Sequence, residues 1–128
     1  MRQREEIIRT WFDMWLGQEL LPLDAVFTKD VHYYEFFGPE YDGVDQLRRW
    51  FEEWNEVNRV KRWDIRRFLH TPDSTLVEFY FQSVNKNGEE REFEGVYLVE
   101  WDGEDRIQKL QEFYCQLPHY KPFQKETT

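Results

Sequence analysis

Apolar residues at the start of the chain recur on a helical period. Ile7, Ile8, Trp11, Phe12, Trp15 and Leu16 fall on one face of an α-helix, which predicts a helix from Glu5 to Leu16 with Gly17 as its stop. Pro22 suits a helix start and predicts a short helix over Leu23 to Phe27. Val31 to Phe37 is rich in aromatic and β-prone residues, ends at Gly38-Pro39, and reads as a strand. Helical spacing returns with Leu47, Trp50, Phe51 and Trp54, on a helix from Val44 to Val57 entered at Asp42 or Gly43. After it the period falls to two. Val60 to His70, Ser74 to Asn85, Glu90 to Trp101 and Arg106 to Gln116 read as strands, turned at Pro72-Asp73, Asn87-Gly88 and Asp102-Gly103. Asn-Gly tolerates the positive φ of a tight hairpin.

Helices followed by hairpin-linked strands predict an α+β fold, with the helices covering one face of an antiparallel sheet. Neither a repeat nor a low-complexity linker interrupts the chain. Residues 1–120 are expected to form one domain, with residues 121–128 as a C-terminal tail. Alternation also assigns faces. Val77, Phe79 and Phe81 share one side of their strand, opposite Glu78, Tyr80 and Gln82. Tyr33 and Glu35 share one side of the first strand, and Leu110, Glu112 and Tyr114 one side of the last.

Composition narrows the function. Of the 128 residues, 19% are aromatic, and such rings dominate cores and cavity walls. A formal net charge of -9 argues against nucleic acid or an anionic membrane as partner, since both need a positive footprint. Arg59, Lys61, Arg62, Arg66 and Arg67 flank Trp63 and Ile65, and alternation puts them on a solvated strand face. Cys115 is the single cysteine, so an intrachain disulfide is ruled out. It is expected to be a buried, inert thiol. The N-terminal residues lack a signal-peptide apolar run, and no stretch approaches the ~20 apolar residues of a membrane span. The cytoplasm is therefore the expected location. Glycine-rich phosphate cradles are missing, and His32, His70 and His119 lack ligand spacing. Neither a cofactor nor a metal is expected.

Three stretches carry a resemblance: "WFDMWL", "FTKDVHYYEFFGPEYDGVDQLRRWFEEW" and "GVYLVEWDGEDRIQKLQEFYCQLPHY". With the turn from Pro39 to Gly43 and the late D-G-x-x-x-I hairpin, the chain resembles the NTF2-like superfamily, in particular its SnoaL-like branch. The resemblance implies a cone, in which two long helices and one short helix cover the concave face of a strongly curved antiparallel sheet. It also implies a homodimer formed through the outer sheet face. The superfamily holds ketosteroid isomerases, limonene-epoxide hydrolases, polyketide cyclases, dehydratases and plain binding proteins, so the fold alone does not fix function. Five residues after Asp30, Glu35 falls where the isomerase branch keeps its general base. The hydrolase branch's water-holding Tyr and Asn fall on Tyr33 and Glu35, and its water-activating Asp on Glu112. Its middle-strand Arg and Asp fall on Phe79 and Phe81, which removes the acid that opens an epoxide. The isomerase's helix Tyr falls on or next to Trp11.

The expected site is therefore an aromatic-lined pocket for a small hydrophobic molecule bearing one or two oxygens. Glu35 is the candidate base, Glu112 a second acid or water-orienting group, and Tyr33 a hydrogen-bond donor, or else a core ring with a satisfied hydroxyl. Trp11, Trp15, Trp50, Trp54, Phe79, Phe81 and Tyr114 are the expected wall. Burial raises a carboxyl pKa, suiting it to moving protons to or from carbon or water. The rival readings are a non-catalytic binding module and a protein-interaction domain whose pocket is a by-product of the fold.

Overall fold

The computed structural model describes residues 2–123; the final part of the expected tail, residues 124–128, lies outside them. Helix α1 spans Arg2–Gly17, a 3-10 turn Leu23–Ala25, β1 Phe27–Glu35, β2 Glu40–Asp42, α2 Val44–Val57, β3 Asn58–His70, β4 Ser74–Asn85, β5 Glu90–Trp101 and β6 Ile107–Gln116. The sequence pattern locates both long helices and the four later strands to within a few residues. It shifts the first strand, which begins at Phe27 and ends at Glu35. It reads a turn where the short strand β2 forms. The predicted short helix is a single 3-10 turn.

Six strands form one sheet in the order β2-β1-β6-β5-β4-β3. The sheet is mixed, which corrects the all-antiparallel expectation: β1 and β6 run parallel, with Tyr33 beside Leu110 and Glu35 beside Glu112. All other pairings are antiparallel. Strand period cannot reveal this pairing, because it joins elements from opposite ends of the chain.

Both helices bury their apolar stripe against the same sheet face. Ile8, Trp11, Phe12, Met14 and Trp15 of α1 and Leu47 and Phe51 of α2 join Val31, Tyr33, Val77, Phe79, Tyr97, Val99 and Leu110 in one core. Phe12 stacks on Trp63 at 3.9 Å and meets Phe79 and Tyr97 edge-on. Register slips interrupt β3 between Val60 and Arg62 and between Ile65 and Arg67; such bulges bend a strand and sharpen its twist. On the opposite face the basic stretch is solvated and paired, Lys61 with Glu90, Arg62 with Asp64, Arg66 with Glu94 and Arg67 with Glu78. Cys115 is exposed rather than buried, because it alternates with the inward Tyr114 and so falls on that outer side. Among the described residues no helix is long and apolar enough to cross a membrane.

Candidate functional site

A cavity of about 410 Å³ opens beyond the core, lined among others by Trp15, Trp50, Trp54, Trp63, Phe81, Phe93, Tyr41 and Tyr97, with Glu35 and Glu112 in its wall. The two carboxylates arrive from opposite ends of the sequence. Parallel pairing sets Glu35 directly beside Glu112, and adjacent strands lie only about 4.8 Å apart. The Phe36 amide donates to the Glu112 carbonyl at 2.9 Å, which locks this register. On its other side Glu112 is the cross-strand neighbour of Tyr97. The row Glu35, Glu112, Tyr97 therefore crosses three strands on one face.

Electrostatics separates the two acids. Glu112 is buried, 6% exposed. Burial first, and then the nearby Glu35 charge, push its pKa up to about 8, against smaller lowering effects of the Tyr97 hydroxyl and Arg91. Glu35 is half-buried, and burial raises it to about 7, with Arg91 opposing. Two such groups titrate as a pair, and at neutral pH the pair retains a proton.

Behind Glu112 runs a chain of hydrogen bonds. The Trp11 indole donates to the Tyr33 hydroxyl at 3.4 Å, and Tyr33 donates to the Tyr97 hydroxyl at 3.1 Å. That leaves the Tyr97 proton to face Glu112. Both tyrosines are buried, and their own pKa values are raised well above the ordinary range, chiefly by burial. They are hydroxyl donors, not bases.

The expected wall residues divide into two groups. Glu35, Glu112, Trp15, Trp50, Trp54, Phe81 and Tyr114 line the cavity. Tyr33, Trp11 and Phe79 lie behind it, each at most 1% exposed. The hydroxyl presented at the wall beside Glu112 is that of Tyr97. The sequence reading passed over Tyr97, although it shares strand parity with Phe93 and Val99, both buried on the inner face. It also passed over Arg91, Tyr41 and Trp63. Tyr41 stacks on Trp50 at 4.4 Å. The indole N–H groups of Trp15 and Trp63 are buried without an acceptor among the described residues.

At the more open side, Arg91 lies over the rings of Phe93 and Tyr114, 5.3 and 5.1 Å from their centroids, and donates to the Tyr114 hydroxyl. Gly95 makes room for this corner. A Cβ there would meet the Phe113 carbonyl oxygen at 2.3 Å and the Tyr114 Cβ at 2.8 Å. Among the described residues no three His, Cys, Asp or Glu side chains are gathered as a metal ion would need.

Comparison with known proteins gives a consistent picture of the fold. The family model of the SnoaL-like domain matches residues 8–109. A Catenulispora acidiphila protein with a ketosteroid isomerase-like fold, solved with trimethylamine, superposes with a TM-score of 0.75 at 20% identity over 85% of each chain. A Mycobacterium tuberculosis LEH-like epoxide hydrolase gives 0.77 at 12% identity, over 89% of this chain and 84% of that one. A candidate SnoaL-like polyketide cyclase from Mesorhizobium loti gives 0.68 at 20% identity, over 86% and 97%. None of the curated protein sequences matches.

Proposed function

This chain belongs to the SnoaL-like family, and from that premise we propose that it binds a small hydrophobic, oxygenated molecule and performs cofactor-free acid–base chemistry on it, as an isomerase, cyclase or dehydratase. The observation that carries this reading is the in-register pair Glu35 and Glu112 in the wall of an aromatic cavity. We read the bulged sheet as wrapped into a cone around that cavity, with its outer face serving a homodimer; exposed Leu69, Leu98 and Phe113 suit such a contact.

In this scheme Glu35, the less buried acid, is the base. It takes a proton from a carbon beside the ligand's carbonyl and either returns it to another carbon or passes it to a departing hydroxyl, which leaves as water. Glu112 keeps its own proton because burial and the Glu35 charge disfavour its ionisation, and donates it in a hydrogen bond to the oxygen where negative charge develops. Tyr97 orients Glu112, and Tyr33 and Trp11 act through Tyr97 rather than on the ligand.

Carbon-13 NMR titration of the glutamate carboxyls tests the reading. Glu35 and Glu112 should titrate near 7 and 8, and Glu35→Gln should leave Glu112 with a lower midpoint. Ordinary midpoints for both would remove the acid–base scheme. Native mass spectrometry of co-purifying ligand then separates enzyme from carrier: a ligand held and released unchanged by active-site variants and wild type alike favours a binding module.

A further inference from the structure

Arg91 is the only cationic side chain lining the cavity among the described residues. It comes from a strand whose other charges have been sent the opposite way. On β5 the glutamates flanking it point outward: Glu90 pairs with Lys61, Glu92 accepts from Tyr80, and Glu94 pairs with Arg66 and His119. Among the described residues no carboxylate lies within ion-pair distance of Arg91, in a protein with 26 acidic and 17 basic residues. Its guanidinium is nevertheless held, lying over two rings and hydrogen-bonded to the Tyr114 hydroxyl. Of the five N–H donors of an arginine, that bond uses one.

A fixed, uncompensated guanidinium in a mostly apolar cavity is a recognition element for an anion. We propose that the ligand is an apolar molecule carrying a carboxylate, seated on Arg91 at the solvent side while the rest of the molecule reaches inward to Glu35 and Glu112. The proposal rests on the pocket reading above and deepens it. A carboxylate fits better than a phosphate for two reasons. Its two oxygens match the planar fork of a guanidinium. Its single charge also limits repulsion from Glu35, Glu112 and Glu89, which share the cavity wall. Arg91 draws the pKa values of Glu35 and Glu112 down, so neutralising it with a bound carboxylate lifts both, and the ligand completes the environment that keeps the inner acid protonated.

Quenching of tryptophan fluorescence measures the affinities of three probes with one ring system: 2-naphthoate, methyl 2-naphthoate and 2-naphthyl phosphate. Wild type should bind the acid about tenfold more tightly than the ester, as a charge-assisted contact worth a factor of ten implies. Arg91→Met should reduce that preference to less than about twofold while ester affinity is kept, which also shows that the variant is folded. Should Arg91→Met lose the ester as well, Arg91→Lys decides, because it keeps the charge and should retain a severalfold preference for the acid. Equal affinities for acid and ester in wild type would overturn the proposal, as would a preference that survives in Arg91→Met. A phosphate bound more tightly than the acid would overturn the choice of carboxylate. Absence of binding by every probe at millimolar concentration would overturn both this proposal and the pocket reading. The acid–base reading stands apart, since the carboxyl titration needs no ligand.

Discussion

Glutamates occupy both faces of this sheet, and the two faces treat them in opposite ways. On the outer face Glu90 and Glu94 are held below the ordinary carboxylate range, Glu90 by Lys61 and Glu94 by His119 and Arg66. On the inner face Glu35 and Glu112 are pushed up to about 7 and 8, first of all by burial. The residue type is the same and the strands are neighbours; only strand parity differs. Water and cations stabilise the ionised form on one side. On the other, rings replace water and the second acid replaces a cation.

The sharpest way to probe this contrast is the pH dependence of stability. An inner acid whose folded pKa lies above its unfolded value binds its proton more tightly when folded. Its contribution to stability is complete below about pH 4.5 and is lost as pH rises through 7 and 8. Wild type should therefore lose a few kcal/mol between pH 5 and pH 8, roughly 1.4 kcal/mol for each pKa unit. Glu112→Gln should flatten most of that slope. Denaturant unfolding followed at both pH values checks this, and parallel profiles for the two proteins would erase the distinction between the faces. Glu90 and Glu94, held below the ordinary carboxylate range, stay ionised in the folded protein through this window and contribute little within it.

A smaller effect sharpens the comparison from behind the inner acid. Tyr33→Phe removes the hydroxyl that accepts from Trp11 and donates to Tyr97. It strands a buried indole N–H and should cost about 1–2 kcal/mol. If Tyr33 acts through Tyr97, the same variant also shifts the Glu112 midpoint in the carbon-13 titration; a purely structural role leaves that midpoint in place. The smallest change is expected outside. Glu94→Gln breaks solvent-facing pairs with Arg66 and His119 and should alter stability by less than ~1 kcal/mol, because screened surface pairs contribute little. A loss comparable to that of Tyr33→Phe would show that the outer face is not the passive one.

The sequence reveals angular position well and depth poorly. Alternation correctly turns Tyr33 and Glu35 to one side, and Phe79 and Phe81 likewise, while helical spacing puts Trp11 and Trp15 on one stripe. In each pair the first residue is packed into the core, and the second reaches the cavity. Periodicity assigns the face of an element, but the distance along it at which packing gives way to open space depends on neighbours from distant sequence. The parallel contact of β1 with β6 was hidden for the same reason. Tyr97 and Arg91 both lay within reach of the alternation rule, since they share strand parity with Phe93; what alternation does not give is that Arg91 stands apart from the carboxylates that pair the strand's outer face.

That parallel contact has a consequence for biosynthesis. Because β6 is the last strand and β1 the first, Glu35 leaves the ribosome long before Glu112 is translated, and chain closure between such distant segments comes late in folding. A nascent or prematurely terminated polypeptide can hold its helices and hairpins yet has only half of the acid pair. Under the proposed reading, proton chemistry would wait until synthesis reaches the final strand, and a product truncated before it would lack the acid pair whatever else it managed to fold.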